Sequence, residues 1–135
     1  MKKIIILIPV YNDWESLNKL LEEIDKNIKF FNDINFECMI VNDASTSQPP
    51  KILKPSNFES LELLNMKENR GHARCNAFGV RYIFQNKKFD NLILMDGDGE
   101  DRPEEIKSLV EKIKENPNLS VVAKRVKRSE GFFFQ

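Results

Sequence analysis

Residues 4–8, Ile-Ile-Ile-Leu-Ile, form a nearly unbroken β-branched run with no polar side chain to offer to water. A strand with one wet face alternates apolar and polar residues, whereas a continuous apolar run belongs to a strand covered on both faces. The run is far shorter than the ~20 residues a membrane span needs. Met1-Lys2-Lys3 in front of it gives the start the look of a signal peptide. However, Pro9 and then Tyr11-Asn12-Asp13-Trp14-Glu15 cut it short, and no small-residue cleavage site follows. The chain is therefore constrained, within its first ten residues, to a buried strand sandwiched between helices.

The rest of the pattern supplies those helices. Leu17, Leu20, Leu21, Ile24 and Ile28 fall on one face at helical spacing, with Asp13 as N-cap and Ser16 in the first turn. Phe36–Val41 is a second strand, ending at Asn42-Asp43-Ala44-Ser45-Thr46. Residues 45–57, rich in Ser, Thr, Pro and Asn, are a loop with one helical turn expected around Ile52-Leu53. Leu61–Leu64 is a short third strand. After Glu68-Asn69-Arg70-Gly71, a helix is expected to bury Ala73, Ala77, Val80 and Phe84. Asn91–Met95 is the fourth strand. Pro103 then opens a helix that buries Ile106, Leu109, Val110 and Ile113, Asn116-Pro117-Asn118 ends it, and Leu119–Ala123 is the fifth strand. Strands alternating with helices in this way predict an α/β fold, with a mostly parallel sheet and helices on both faces.

The 135 residues fit one domain, residues 1–135, and 41% apolar residues with ten phenylalanines are enough for a core. Lys and Arg balance Asp and Glu at 21 each, so no global basic field points to nucleic acid. Lys124-Arg125-Val126-Lys127-Arg128 is a local basic run, read as a solvated face, a phosphate contact or a membrane-facing patch. Cys38 and Cys75 are far apart and lack metal-ligand spacing, so they read as reduced core residues of a cytoplasmic protein.

Ligands of such sheets bind outside the carboxyl ends of the strands. There the sequence places Pro9-Val10-Tyr11-Asn12, Asn42-Asp43-Ala44-Ser45 and, after the fourth strand, Asp96-Gly97-Asp98-Gly99-Glu100-Asp101. Asp96 and Asp98, two apart at a strand end, can converge on one hard cation, and Gly97 and Gly99 leave room for a bulky ligand. The competing reading is a turn in which these Asp side chains satisfy backbone donors. A calcium EF-hand is excluded, because loop position 6 is Asp101 and position 12 is Lys107. No P-loop or dinucleotide fingerprint is present. Tyr11 and Trp14 either line a base pocket or pack beside the first helix. His72, Arg70 and Arg74 either face an anion or sit on a solvated helix end.

These motifs, in this order, resemble family 2 glycosyltransferases of the GT-A fold. Ile8-Pro9-Val10-Tyr11-Asn12 is similar to the family's first-strand signature. Val41-Asn42-Asp43-Ala44-Ser45 is similar to its DD-small-Ser loop, with Asn42 in place of the first Asp. Asn69-Arg70-Gly71-His72-Ala73, with Ala77 and Gly79, is similar to its N-x-G lead-in to the next helix. Asp96-Gly97-Asp98, followed by Pro103, resembles its DxD motif and the Pro-led helix behind it.

The resemblance implies a Rossmann-like nucleotide-diphospho-sugar transferase and an inverting transfer from a UDP- or GDP-linked sugar. It implies that Pro9, Tyr11, Asn12, Asp43, Asn69, Gly71, Asp96, Gly97 and Asp98 line the nucleotide-sugar site, with Asp43 on the nucleoside. It also implies that Asp98, with Asp96, holds Mg²⁺ or Mn²⁺. Residues 95–106 look most like enzymes that move a sugar onto a polyprenyl phosphate, similar to dolichol-phosphate mannose synthases. That implies a lipid-phosphate acceptor at the cytoplasmic face of a membrane; other glycan acceptors remain open. In the family the general base and the acceptor half follow the fifth strand, so the base is expected beyond Gln135 and the chain is read as truncated. Phe132-Phe133-Phe134 is read as the start of something that continues. The alternative function is a non-catalytic nucleotide- or partner-binding module of the same fold.

Overall fold

The computed structural model describes residues 1–95, 103, 105–116, 122–126 and 130–134, the last two segments as backbone. The elements are β1 (Lys2–Val10), α1 (Trp14–Ile28), β2 (Ile34–Asn42), β3 (Ser60–Asn65), α2 (His72–Asn86), β4 (Asn91–Leu94), α3 (Glu105–Glu115), β5 (Val122–Val126) and β6 (Glu130–Phe134). The strands form one sheet in the order β3-β2-β1-β4-β5-β6. All neighbours are parallel except β5 and β6.

β1 lies at the centre, paired with β2 over its whole length, from Lys2↔Ile34 to Val10↔Asn42, and with β4 from Ile4↔Asn91 to Leu7↔Leu94. Its alternate residues feed two separate cores. Ile4, Ile6, Ile8 and Val10 pack with Phe36, Cys38 and Ile40 under α1 and α3. Ile5 and Leu7 pack with Met39, Val41, Leu92 and Leu94 under α2. This explains the unbroken apolar run, since each face of β1 meets a helical layer. The expected parallel sheet with helices on both faces is the fold that forms.

Helix α1 starts as the sequence predicts. The Asp13 side chain accepts from the Ser16 N–H at 3.3 Å, and Leu17, Leu20, Leu21, Ile24 and Ile28 are buried. Helix α3 buries the four predicted residues, Ile106, Leu109, Val110 and Ile113.

Helix α2 differs from expectation. It buries Cys75, Asn76, Gly79 and Ile83; of the expected residues Val80 is partly buried against the core, while Ala73, Ala77 and Phe84 are exposed. The cause is Gly79: a Cβ there would meet Leu7 Cδ1 at 2.7 Å and Val41 Cγ2 at 3.0 Å. The helix can come that close to the sheet only at a position without a side chain, so the glycine rather than the bulkier apolar residues sets the buried face.

One smaller expectation also changes. Residues 51–54 form no helical turn. The described part of β5, Val122–Val126, extends the expected strand through Lys124 and Arg125, and residues 119–121 lie outside the described residues. The phenylalanines at 132–134 belong to β6, antiparallel to β5 from Val122↔Phe134 to Val126↔Glu130.

Candidate functional site

The chain steps from β1 to β2 and β3 on one side, then returns to place β4 on the other side of β1. Strand order therefore reverses between β1 and β4, and beyond the carboxyl ends of such neighbours open sheets hold their ligands. The loops after β1 and β2 and the lead-in to α2 meet at this edge, joined by side-chain hydrogen bonds.

Asp43 is the main fastener. Its N–H donates to the Val10 carbonyl at 2.8 Å, extending the sheet one residue past β2. The residue is 1% exposed, and its carboxylate accepts from the Arg70 N–H at 2.8 Å and from the Gly71 N–H at 2.9 Å, one on each oxygen. Asn69 Nδ2 donates to the Asp43 carbonyl at 3.2 Å. Gly71, the N-cap of α2, offers no side-chain cap, so the Asp43 charge sits at the positive end of the helix. Gly71 has φ +84° and ψ 159°, a conformation open essentially to glycine alone. That is the physical need behind the glycine in this motif.

Asn12 is the second fastener, and its φ of 61° is one that Asn tolerates better than most residues. Its N–H donates to Ser45 Oγ at 2.8 Å and its Nδ2 to Thr46 Oγ1 at 3.0 Å. Its Oδ1 accepts from the N–H and the hydroxyl of Ser47, each at 3.0 Å. Ser47 Oγ in turn accepts from Trp14 Nε1 at 3.2 Å. Trp14 packs within the core under α1, whereas Tyr11 beside it is 39% exposed at the sheet edge. Pro9 is buried within β1 opposite Val41.

Asn42, which stands where the family pattern has an Asp, uses both ends of its amide. Nδ2 donates to Asn65 Oδ1 at 2.9 Å, and Oδ1 accepts from the Ser45 N–H at 3.0 Å. A carboxylate has no such donor, so the neutral residue lets the ends of β2 and β3 share a hydrogen bond. Ala44, between these anchors, is held at φ 55°.

The predicted residues Pro9, Tyr11, Asn12, Asp43, Asn69 and Gly71 are thus gathered at one edge. Asp96, Gly97 and Asp98 lie outside the described residues. Met95, the last described residue before them, donates its N–H to the Leu7 carbonyl at 2.9 Å. Sequence reasoning missed the Asn42–Asn65 pair and the role of Ser47; the Ser45-Thr46-Ser47 run after a buried strand was the available signal. It also missed Asn76, 9% exposed in α2, whose Oδ1 has no hydrogen-bond partner among the described residues.

Neither cysteine is a ready nucleophile. Burial, reinforced by the Asp43 charge, pushes the Cys75 thiol up to about 12, and burial likewise raises Cys38. Among the described residues no three His, Cys, Asp or Glu side chains gather to hold a metal ion. Asp43, with one backbone N–H on each oxygen, acts first as a fastener of the loops. No helix of the described residues is long and apolar enough to cross a membrane.

The sequence model of the family described as "Glycosyl transferase family 2" matches residues 5–135. An undecaprenyl-phosphate 4-deoxy-4-formamido-L-arabinose transferase from Proteus mirabilis is 31% identical over 134 residues, covering 98% of this chain and 40% of that protein. A dolichol-phosphate mannosyltransferase from Pyrococcus furiosus is 26% identical over 126 residues, covering 93% of this chain and 34% of the relative. An uncharacterized glycosyltransferase, YkcC, from Bacillus subtilis is 27% identical over 134 residues, covering 95% and 39%. The chain spans two fifths or less of the length of these relatives.

Proposed function

Because the chain belongs to glycosyl transferase family 2, we propose that it forms the nucleotide-sugar-binding part of an enzyme that transfers a sugar from a UDP- or GDP-linked donor to a polyprenyl phosphate. The observation that carries this reading is the fastening of three polar segments at the point where strand order reverses. Asn12 ties the loop after β1 to residues 45–47, and Asp43 ties the loop after β2 to residues 69–71. The lipid-phosphate acceptor is supported by relatives named for undecaprenyl phosphate and dolichol phosphate.

In this reading the exposed Tyr11 ring and the Pro9–Asn12 backbone line the nucleoside pocket. The Asp43 carboxylate has two of its roughly four acceptor positions filled by backbone N–H groups, leaving capacity for a base or ribose donor. Asp98, with Asp96, would hold Mg²⁺ or Mn²⁺, two hard oxygen donors suiting a hard cation. That ion, when bound, supplies charge neutralisation to the diphosphate leaving group. The fixed loops contribute pre-organisation: donors and acceptors held in place before the nucleotide arrives need no reordering on binding.

Titration calorimetry of the folded chain with UDP and with GDP, each with and without Mn²⁺, tests this. The expected result is Mn²⁺-dependent binding of one nucleotide that disappears in Asp98→Ala. A folded chain that binds neither nucleotide, or binds regardless of Mn²⁺ and Asp98, refutes it. The chain's partial coverage of its relatives favours one second reading, a module that binds nucleotide without turnover. Assaying sugar transfer to undecaprenyl phosphate in the same preparation separates the two.

A further inference from the structure

We infer that the outer face of α2 is a docking surface for an anionic lipid bilayer. Residues 73, 74, 77, 78, 81, 84 and 85 are all exposed. At ~100° per residue they occupy one continuous arc of roughly 140°. The arc carries Phe78 at 41% and Phe84 at 62% exposure, with Arg74 and Arg81 among them.

The helix contains no Asp or Glu anywhere in His72–Asn86. By contrast, α1 and α3 interleave acids with lysines along their length. The nearby acids are otherwise engaged. Glu62 pairs with Lys87, Glu68 with Arg70 at 2.7 Å, and Asp90 Oδ2 accepts from the Lys3 N–H at 2.7 Å. Among the described residues no carboxylate pairs with Arg74 or Arg81.

Exposed aromatic rings that can sink into the headgroup layer, together with arginines whose stems lie along the surface while their heads meet lipid phosphates, are the chemistry of an interfacial helix. The face is the convex side of a single helix, which suits a deformable bilayer better than a groove-seeking peptide. The geometry also serves the site. The N-terminal end of α2 is held by Asp43, so a helix about 22 Å long lying on the membrane places residues 69–71 at the lipid surface. The inference rests on the lipid-acceptor reading for its purpose, but its test does not depend on nucleotide or metal.

The experiment is flotation of the chain with vesicles of phosphatidylcholine alone and of phosphatidylcholine mixed with phosphatidylglycerol. Wild type should float with the mixed vesicles and not with the neutral ones. Arg74→Gln with Arg81→Gln should weaken that partition on the order of thirtyfold. Phe78→Ser with Phe84→Ser should weaken it by about tenfold or more. Circular dichroism and the UDP and GDP titrations on both double variants report fold and donor site, so a lost membrane face is distinguished from a lost nucleotide site. Wild type that does not float, that floats equally on neutral vesicles, or whose flotation survives either double variant overturns the inference. Flotation abolished only by Lys124→Gln with Arg125→Gln overturns it equally, since that assigns the contact to β5.

Discussion

Replacing Asp43 by Asn removes one oxygen and puts an amide nitrogen in its place. In the native chain the two carboxylate oxygens accept from Arg70 N–H at 2.8 Å and Gly71 N–H at 2.9 Å. Hydrogen bonds to a charged group contribute about 1.5–3 kcal/mol each, against about 1 kcal/mol for neutral ones. The variant keeps one bond in the weaker form and turns the other into a donor facing a donor. With the lost charge at the α2 N-terminus adding up to ~1 kcal/mol, the sum is roughly 2–6 kcal/mol. That is a large fraction of the ~5–15 kcal/mol typical of a folded domain.

Urea unfolding followed by circular dichroism and by the fluorescence of the single tryptophan, Trp14, measures the loss. Amide hydrogen exchange at Arg70 and Gly71 should accelerate, most at the amide that faces the new Nδ2, because that hydrogen bond is lost and the other is weakened. A loss below about 1 kcal/mol, with unchanged exchange at both amides, would refute the assignment of Asp43 as the fastener of the α2 lead-in. Any nucleotide affinity lost in this variant is to be compared with its folded fraction, since the same carboxylate serves both purposes in the proposed reading.

Other substitutions probe the remaining joints. Gly71→Ala should cost about 1–3 kcal/mol in the same unfolding assay although a Cβ there meets nothing within 4 Å, because the penalty is conformational. Gly79→Ala should be net destabilising by about 1 kcal/mol: overpacking against Leu7 and Val41 costs 1–3, and Ala returns ~1 of helix propensity, whereas an unchanged or raised stability would show that the sheet can yield. The buried Cys75 thiol, ordinarily near 9 and raised to about 12, stays protonated in the folded chain while the unfolded chain ionises. Its contribution is thus complete below about pH 9 and lost as pH rises towards 12, so urea midpoints should fall over that interval, and fall less in Cys75→Ala.

Much of the fold was legible because it follows from local periodicity. The β-branched run at 4–8, the apolar spacing of α1 and α3, and the Asp13 cap depend on residues a few positions apart, and each took its expected place. The polar strand ends after β1 and β2 were legible for the same reason, since the apolar runs stop at Pro9 and Asn42 whatever surrounds them. Which face of α2 is buried was not legible. Apolarity favoured Ala73, Ala77 and Phe84, but the fit of Gly79 over Leu7 and Val41 depends on residues 38 or more positions away.

The same distinction runs through the candidate site. The sequence by itself determined that Asp43, Asn12 and Gly71 stand at strand or helix ends, where polar chemistry gathers. Only the tertiary structure decided that the Asp43 carboxylate turns to Arg70 and Gly71, that Asn12 binds across 33 to 35 residues to Ser45, Thr46 and Ser47, and that Asn42 shares its amide with Asn65. Periodicity is a property of neighbouring residues and is written in their order. The partner of a buried polar group is chosen by which distant donor or acceptor the packed sheet brings within 3 Å, and that is settled only once the strands have found one another.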